Sequence, residues 1–267
     1  MPDRSAPGSA RRPRVWCPGP WPADGAVALA DDIRHHLLRV LRLRPGEALE
    51  LFDGEGLRVA ARLETDDASG AMARIEGPKV QQPPARLQIR LAQALPQGDK
   101  MDWVIEKAVE LGVMCIQPLQ AIRSVVRLEP RKLLQRSAHW ERVVVAAATQ
   151  CGQDRLPALD EARSAQSWLA EPDPSCLRLL LDPRGVAGLD ALATGPIPHR
   201  VDLAIGPESG WDPRELEAAA RGGWTRVRLG PRVLRTETAG LAVLAALQDR
   251  WGDWSAKDAD LNAQDPV

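Results

Sequence analysis

Two segments of this 267-residue chain have residue types and spacing suited to bringing backbone close to a small ligand. The first is Ile205-Gly206-Pro207-Glu208-Ser209-Gly210-Trp211. The second is Leu229-Gly230-Pro231-Arg232-Val233-Leu234-Arg235-Thr236-Glu237-Thr238-Ala239. Glycine lets the chain turn with no Cβ in the way, and proline stiffens the turn. Asp212 before Pro213 reads as a helix cap with proline at the first helical position. Thr236 reads as the cap of the last helix, with Glu237 in its first turn. Taken singly, each segment is explained as a capped strand-to-helix turn. Together they can form a slot whose backbone N–H and C=O groups read the edge of an adenine.

Other chemistries find no footing. There is no phosphate-binding G-x-x-x-x-G-K-[ST] loop, no dinucleotide G-x-G-x-x-G, no G-x-S-x-G elbow and no H-E-x-x-H. Cys17, Cys115, Cys151 and Cys176 lack paired spacing, and His35, His36, His139 and His199 lack ligand spacing, so no metal is expected. Net charge is −1, but it is unevenly spread. Arg11 to Arg44 holds seven arginines against three aspartates, and Arg123 to Arg142 holds six Lys or Arg against two Glu. Such stripes suit a partner with phosphates at defined places, or equally a solvated basic surface. No stretch is long and apolar enough for a membrane span, and the Arg- and Pro-rich start is no secretory signal, which points to the cytoplasm.

The elements that must position the two segments follow from periodicity. Residues 1–13 read as a disordered extension. Asp31 opens a helix with Ile33, Leu37, Val40 and Leu41 on one face, and Arg34, Arg39 and Arg42 largely off it. Short alternating runs at Ala48–Phe52, Leu57–Leu63 and Met72–Ile75, the first two joined at Asp53-Gly54, read as a small β-barrel or sheet. Proline-rich Gly77–Pro84 is the best domain boundary. Beyond it, strands (Leu87–Ala94, Val113–Leu119, Leu177–Leu181, Val201–Ile205, Thr225–Leu229) alternate with helices (Lys100–Leu111, Pro130–Gln150, Pro213–Arg221, Glu237–Trp251). That pattern predicts an α/β layer with a mainly parallel sheet, whose ligands bind beyond the carboxyl ends of its strands. Both segments leave a strand at that edge.

In this order and spacing, IGPESGW and LGPRVLRTETA resemble the RsmE family of SPOUT-class methyltransferases, enzymes for N3 of a uridine in 16S ribosomal RNA. His36–Arg42, Leu51–Gly56, Lys100–Asp102, Glu106–Val113, Arg123–Val126 and Gln150–Gly152 extend the resemblance from about Arg14 to Asp249. It implies a PUA-like RNA-binding β-barrel over residues 14–80, a linker over 81–86, a SPOUT α/β domain with a deep trefoil knot over 87–250, and an acidic tail over 251–267. It also implies S-adenosylmethionine as cofactor, the small ribosomal subunit as partner, and a homodimer through the knotted domain. The cofactor residues would be Ile205, Gly206, Pro207, Glu208, Gly210, Leu229, Gly230, Val233, Leu234, Thr238 and Ala239. Arg235, Glu237 and Arg123 are the catalytic candidates, and Arg34, Arg39, Arg42, Arg123 and Arg127 the RNA contacts. Three positions depart from the family pattern: Ser209 replaces a glycine, Thr149 a glutamate and Gln153 an arginine, with Arg155 two residues on. A non-catalytic RNA-binding assembly factor, or a SPOUT enzyme for another RNA position, would share many of these features. Replacing Arg39 and Arg42 with alanine should weaken RNA binding in a salt-dependent manner while leaving calorimetric cofactor affinity unchanged.

Overall fold

The computed structural model describes residues 12–22, 25–66, 70–126, 129–189 and 196–254. Most of the 1–13 extension, the tail beyond Trp254 and Arg127 lie outside these residues. The chain divides into two compact units, one running to Pro83 and including Ala148–Leu156, the other holding Pro84–Ala147 and the chain from Pro157.

In the first unit, strands β1 (Arg14–Trp16), β2 (Ala26–Ala28), β3 (Ala48–Phe52), β4 (Leu57–Asp66) and β5 (Gly70–Gln81) form one sheet in the order β1-β3-β4-β5-β2. All neighbours are antiparallel except β1 and β3. The Asp53 carboxylate accepts from Glu55 N at 2.7 Å and Leu57 N at 2.9 Å, closing the expected β3–β4 turn. Leu49, Leu51, Val59, Leu63 and Leu37 form its core. β5 continues through Gly77-Pro78, which sequence reasoning placed in a boundary. Opposite them the register slips between Arg58 and Ala60, and a bulge is where a sheet tolerates proline.

Helix α1 (Asp31–His35) passes at once into a π-helical turn, His36–Val40, with Leu41 N bonded to His36 O at 3.0 Å. The wider winding takes a 3.6-residue stripe out of register after Leu37. Leu37 is fully buried, whereas Val40 is 60% exposed and Leu41 42%, contrary to the face predicted for them. Asp31 is helical, and the cap position is Ala30, with no side-chain bond.

The second unit is built on the predicted α/β pattern. Strands β6 (Gln88–Ala94), β7 (Cys115–Gln120), β8 (Ala158–Leu159), β9 (Arg163–Ser164), β10 (Leu177–Leu181), β11 (Arg200–Ile205) and β12 (Thr225–Val227) form a sheet in the order β12-β10-β11-β6-β7-β8, with β9 also on β7. Every pairing is parallel. Helices α2 (Lys100–Glu110), α3 (Pro130–Cys151), α4 (Ala165–Ala170), α5 (Pro213–Arg221) and α6 (Thr236–Trp251) cover it. The central strands β6, β10 and β11 are mainly apolar, as strands covered on both faces tend to be, with Arg90, Gln93, Arg178 and Asp202 as polar interruptions. Leu91, Leu179, Leu180, Leu203 and Ile205 are almost wholly buried or close to it. Among the described residues no helix is long and apolar enough to cross a membrane.

Helix α5 ends at Gly222, where an added Cβ would stand 2.0 Å from the Leu169 carbonyl oxygen at the end of α4. Gly222→Ala should therefore destabilise the chain by about 1–3 kcal/mol through overpacking. The measurement is a urea midpoint, expected to fall clearly below that of the parent.

Candidate functional site

Three adjacent strands, β12, β10 and β11, release their chains at the same edge of the sheet. The chain leaves β10 through Asp182-Pro183-Arg184. The Asp182 carboxylate accepts from Arg184 N at 2.9 Å and from Arg226 Nη2 at 2.6 Å. After β11, Gly206 lies under the Trp211 ring, where a Cβ would come to 3.0 Å, so any larger residue would have to push the ring aside. Trp211 Nε1 donates to Leu181 O at 2.9 Å, joining the β11 loop to the β10 loop. The turn closes with Gly210 N on Pro207 O at 2.9 Å.

Asp212 caps α5 as expected, in a reciprocal box with Glu215. Glu215 is fully buried, and its second oxygen accepts from Ile122 N at 2.8 Å. Burial pushes its carboxyl up, outweighing the backbone donors. Asp212 is held below the usual carboxylate range, first by the Arg214 side chain.

Thr236 does not cap α6: that position is Arg235, without a side-chain bond. Instead the Thr236 hydroxyl donates to Gly206 O at 2.6 Å and accepts from Gln93 Nε2 at 2.9 Å. It is 6% exposed and joins the β12 loop to the β11 loop. Lys100 at the start of α2 adds a second link, 3.0 Å from Glu237 and 3.9 Å from Glu208. Burial pushes the Glu237 carboxyl up, but its own backbone N–H and Lys100 outweigh that and leave it below its ordinary value.

These loops enclose a cavity of about 610 Å³. Its walls include Ile205, Gly206, Pro207, Glu208, Gly210, Leu229, Gly230, Val233, Leu234 and Ala239, and also Arg123, Arg235 and Glu237. Of the sequence-derived cofactor set only Thr238 is not in the lining; it is exposed on α6. Reasoning from motifs missed Lys100 and Leu181–Arg184, while Ser209 and Trp211 lay inside the predicted loop without being named as cofactor residues; all of these line the cavity. The strand-exit rule applied to β10 would have found Asp182-Pro183-Arg184, a turn signal directly after an apolar strand. Arg34, Arg39 and Arg42 belong to the first unit, where Arg34 pairs with Asp31 at 2.9 Å and Arg39 and Arg42 are exposed. Arg127 lies outside the described residues.

The departures from the family pattern have local explanations. Ser209 is not at positive φ, which in this loop falls on Gly210 (φ 74°), so a side chain is tolerated there. Its hydroxyl donates to Arg123 O at 2.7 Å. Arg155 does not substitute as an outward cation for Gln153: it is half-buried against Gly56 and donates to Gln82 O at 3.0 Å. Elsewhere Asp173, Cys176 and Asp202 converge within 4.8 Å. Arg200 and Arg178 already stand 3.5 Å from these carboxylates, and burial pushes the Cys176 thiol up to about 12. Among the described residues the four cysteines form no disulfide.

Residues 83–248 match the RNA methyltransferase domain family and residues 29–76 the RNA methyltransferase PUA domain. The class is thus that of RNA methyltransferases carrying a PUA domain. The chain is 34% identical to ribosomal RNA small subunit methyltransferase E of Mycobacterium bovis, over 90% of this chain and 93% of that one. Its fold matches ribosomal RNA small subunit methyltransferase E of Neisseria gonorrhoeae, solved with S-adenosylmethionine bound, with a TM-score of 0.82 and 34% identity over 92% of this chain and all of that one (100%). A Legionella pneumophila methyltransferase, also solved with S-adenosylmethionine, matches with a TM-score of 0.84 and 32% identity over 91% of this chain and 100% of that one. The chain belongs to the ribosomal RNA small subunit methyltransferase E family.

Thr236→Val should leave the Gly206 carbonyl and the Gln93 amide without their partner, at about 1–3 kcal/mol for each buried polar group. Thermal unfolding and calorimetric S-adenosylmethionine titration should both show the loss, with Thr236→Ser restoring most of it.

Proposed function

We propose that this chain transfers the methyl group of S-adenosylmethionine to N3 of one uridine in 16S ribosomal RNA, on the small subunit and in the cytoplasm. The observation that carries this reading is the cavity walled by the three strand-exit loops, in a chain related along nearly its whole length to enzymes solved with that cofactor. The lining suits the cofactor. Ile205, Leu229, Val233, Leu234 and Trp211 offer apolar surface to an adenosine, and there is no phosphate to cradle. Asp182, Glu208 and Glu237 provide negative charge for a ligand with ammonium and sulfonium centres. One carboxylate oxygen of Glu237 is buried without a hydrogen-bond partner among the described residues. When bound, the cofactor supplies an electrophilic methyl group.

The chain's own residues prepare the acceptor. The uracil N3–H is a weak acid, so its anion must be favoured where the methyl group is met. Arg123 and Arg235 bring positive charge to the cavity wall for that purpose. Glu237, kept ionised beside Lys100, is the carboxylate nearest the α6 start that can take the proton. Its lowered basicity leaves more of the barrier to the arginines. The reacting edge is the pairing edge, so the base must enter unpaired or flipped out. The lining holds six basic side chains against three carboxylates, an excess suited to an RNA strand.

The proposal extends to the architecture. Residues 14–80 act as a PUA-like RNA-binding barrel, 81–86 as linker and 87–250 as the methyltransferase domain. A trefoil knot fits a sheet in which β11 lies between β6 and β10 while α6, following β12, packs back on β6, β11 and α2. A homodimer through this domain fits the exposed Trp103 (44%) and Val233 (77%). The test is primer extension on small-subunit RNA from a strain lacking the enzyme, before and after incubation with the chain and cofactor. An N3 methyl blocks pairing, so one new enzyme-dependent stop at a uridine is expected; absence of any stop contradicts the reading.

A further inference from the structure

The segment after β7, Ala121–Val126, carries Arg123 to the cavity wall. It is held by three contacts from the β11 loop and the start of α5. Ser209 Oγ donates to Arg123 O at 2.7 Å. Asp212 Oδ2 stands 3.5 Å from Arg123 Nε. Glu215 Oε1 accepts from Ile122 N at 2.8 Å. The last two contacts are made by carboxylates that also build the α5 cap. The Ser209 contact differs in kind. Ser209 is itself part of the cavity wall, between Glu208 and Gly210, and its bond reaches the backbone of the residue that bears the guanidinium.

The side chains of the segment differ in exposure. The Arg123 side chain is 46% exposed, with the 3.5 Å approach to Asp212 as its ion pair. Val125 is 69% exposed. Ser124 is 6% exposed, yet its hydroxyl has no hydrogen-bond partner among the described residues. A buried hydroxyl left in this state costs free energy that a small shift of the segment can recover. The segment therefore has somewhere to move, and the wall of the cavity has a bond through which to move it.

We infer that Ser209 is a positioning residue that couples occupation of the cofactor cavity to the grip of Arg123 on RNA. A ligand seated against the β11 loop fixes Pro207–Gly210, and the Ser209 bond passes that constraint to the Arg123 backbone. The guanidinium is then presented at one place on the cavity rim instead of several. By thermodynamic reciprocity, RNA held by Arg123 tightens the cofactor to the same degree. This inference rests on the cofactor and RNA reading given above. It concerns a serine standing where the family pattern has glycine, so the device belongs to this chain's own loop.

The test measures affinity of the full chain for a 16S RNA transcript with and without saturating S-adenosylhomocysteine, for the parent, Ser209→Ala, Ser209→Thr and Arg123→Ala. The parent should bind RNA at least about fivefold tighter with the ligand present, within the usual range of coupling between sites. In Ser209→Ala that ratio should fall to near one, whatever its absolute affinities, and Ser209→Thr, which keeps the hydroxyl, should retain it. Arg123→Ala should bind RNA more weakly and also lose the ratio. Circular dichroism melting checks that each variant is folded. A parent ratio of one, or a ratio that survives in Ser209→Ala, overturns the coupling. No calorimetric binding of S-adenosylhomocysteine by the parent overturns the cofactor reading itself, and the coupling with it.

Discussion

The hydroxyl of Thr236 is the interaction on which the site depends most. It is 6% exposed and joins segments 30 and 143 residues away in sequence, donating to Gly206 O and accepting from Gln93 Nε2. Gln93 is on β6, Gly206 follows β11, and Thr236 opens α6. One side chain thus ties the central strand, the β11 loop and the last helix at the carboxyl edge of the sheet. Buried hydrogen bonds of this kind contribute modestly when made and cost much more when one partner is removed. That asymmetry helps hold the β11 and β12 loops in one shape, together with the Lys100 bridge between Glu208 and Glu237.

The parallel sheet explains why three loops meet there. All-parallel strands point the same way, so their exits crowd one edge, and three neighbours at one end of the sheet deliver three turns side by side. Trp211 fastens the β11 loop to the β10 loop, and Lys100 spans Glu208 and Glu237. Charge follows the same geography. Carboxylates are drawn into pairs with Lys100, Arg226 or Arg123, while Arg232 and Arg235 stay on exposed loop backbone beside the cavity. The first unit carries its own buried network, in which Arg14 pairs with Glu50 at 2.8 Å and with Asp154, and stacks over Phe52. Burial pushes the Asp154 carboxyl up despite Arg14 and Arg58, the cost of keeping a charge so deep.

Much of this was legible in local sequence. The Asp212-Pro213 cap, the Gly-Pro turns and the apolar runs of β10 and β11 are short-range signals, and each sits where its chemistry put it. What was not legible is tertiary. Thr236 looks like a cap because Ser and Thr before a helix usually cap it, yet its hydroxyl oxygen accepts from Gln93 Nε2 and its proton goes to Gly206 O, 143 and 30 residues away. The stripe Ile33, Leu37, Val40, Leu41 assumed 3.6 residues per turn, and a π-helical turn broke the register after Leu37. Strands β1, β2, β8 and β9 are two or three residues long, too short to show a period. Ala148–Leu156 belongs to the first unit although it starts in the last turn of α3, with bonds such as Arg14 Nη1 to Ala148 O at 3.0 Å. No composition shift marks that stretch.

The central claim is that one cavity, walled by the β10, β11 and β12 loops, holds the cofactor. Amide hydrogen exchange of the full chain with and without saturating S-adenosylmethionine tests it directly. Slowed exchange is expected to be concentrated in Asp182–Arg184, Gly206–Trp211 and Leu229–Glu237. Protection confined to other segments, or no change at any amide, would contradict it.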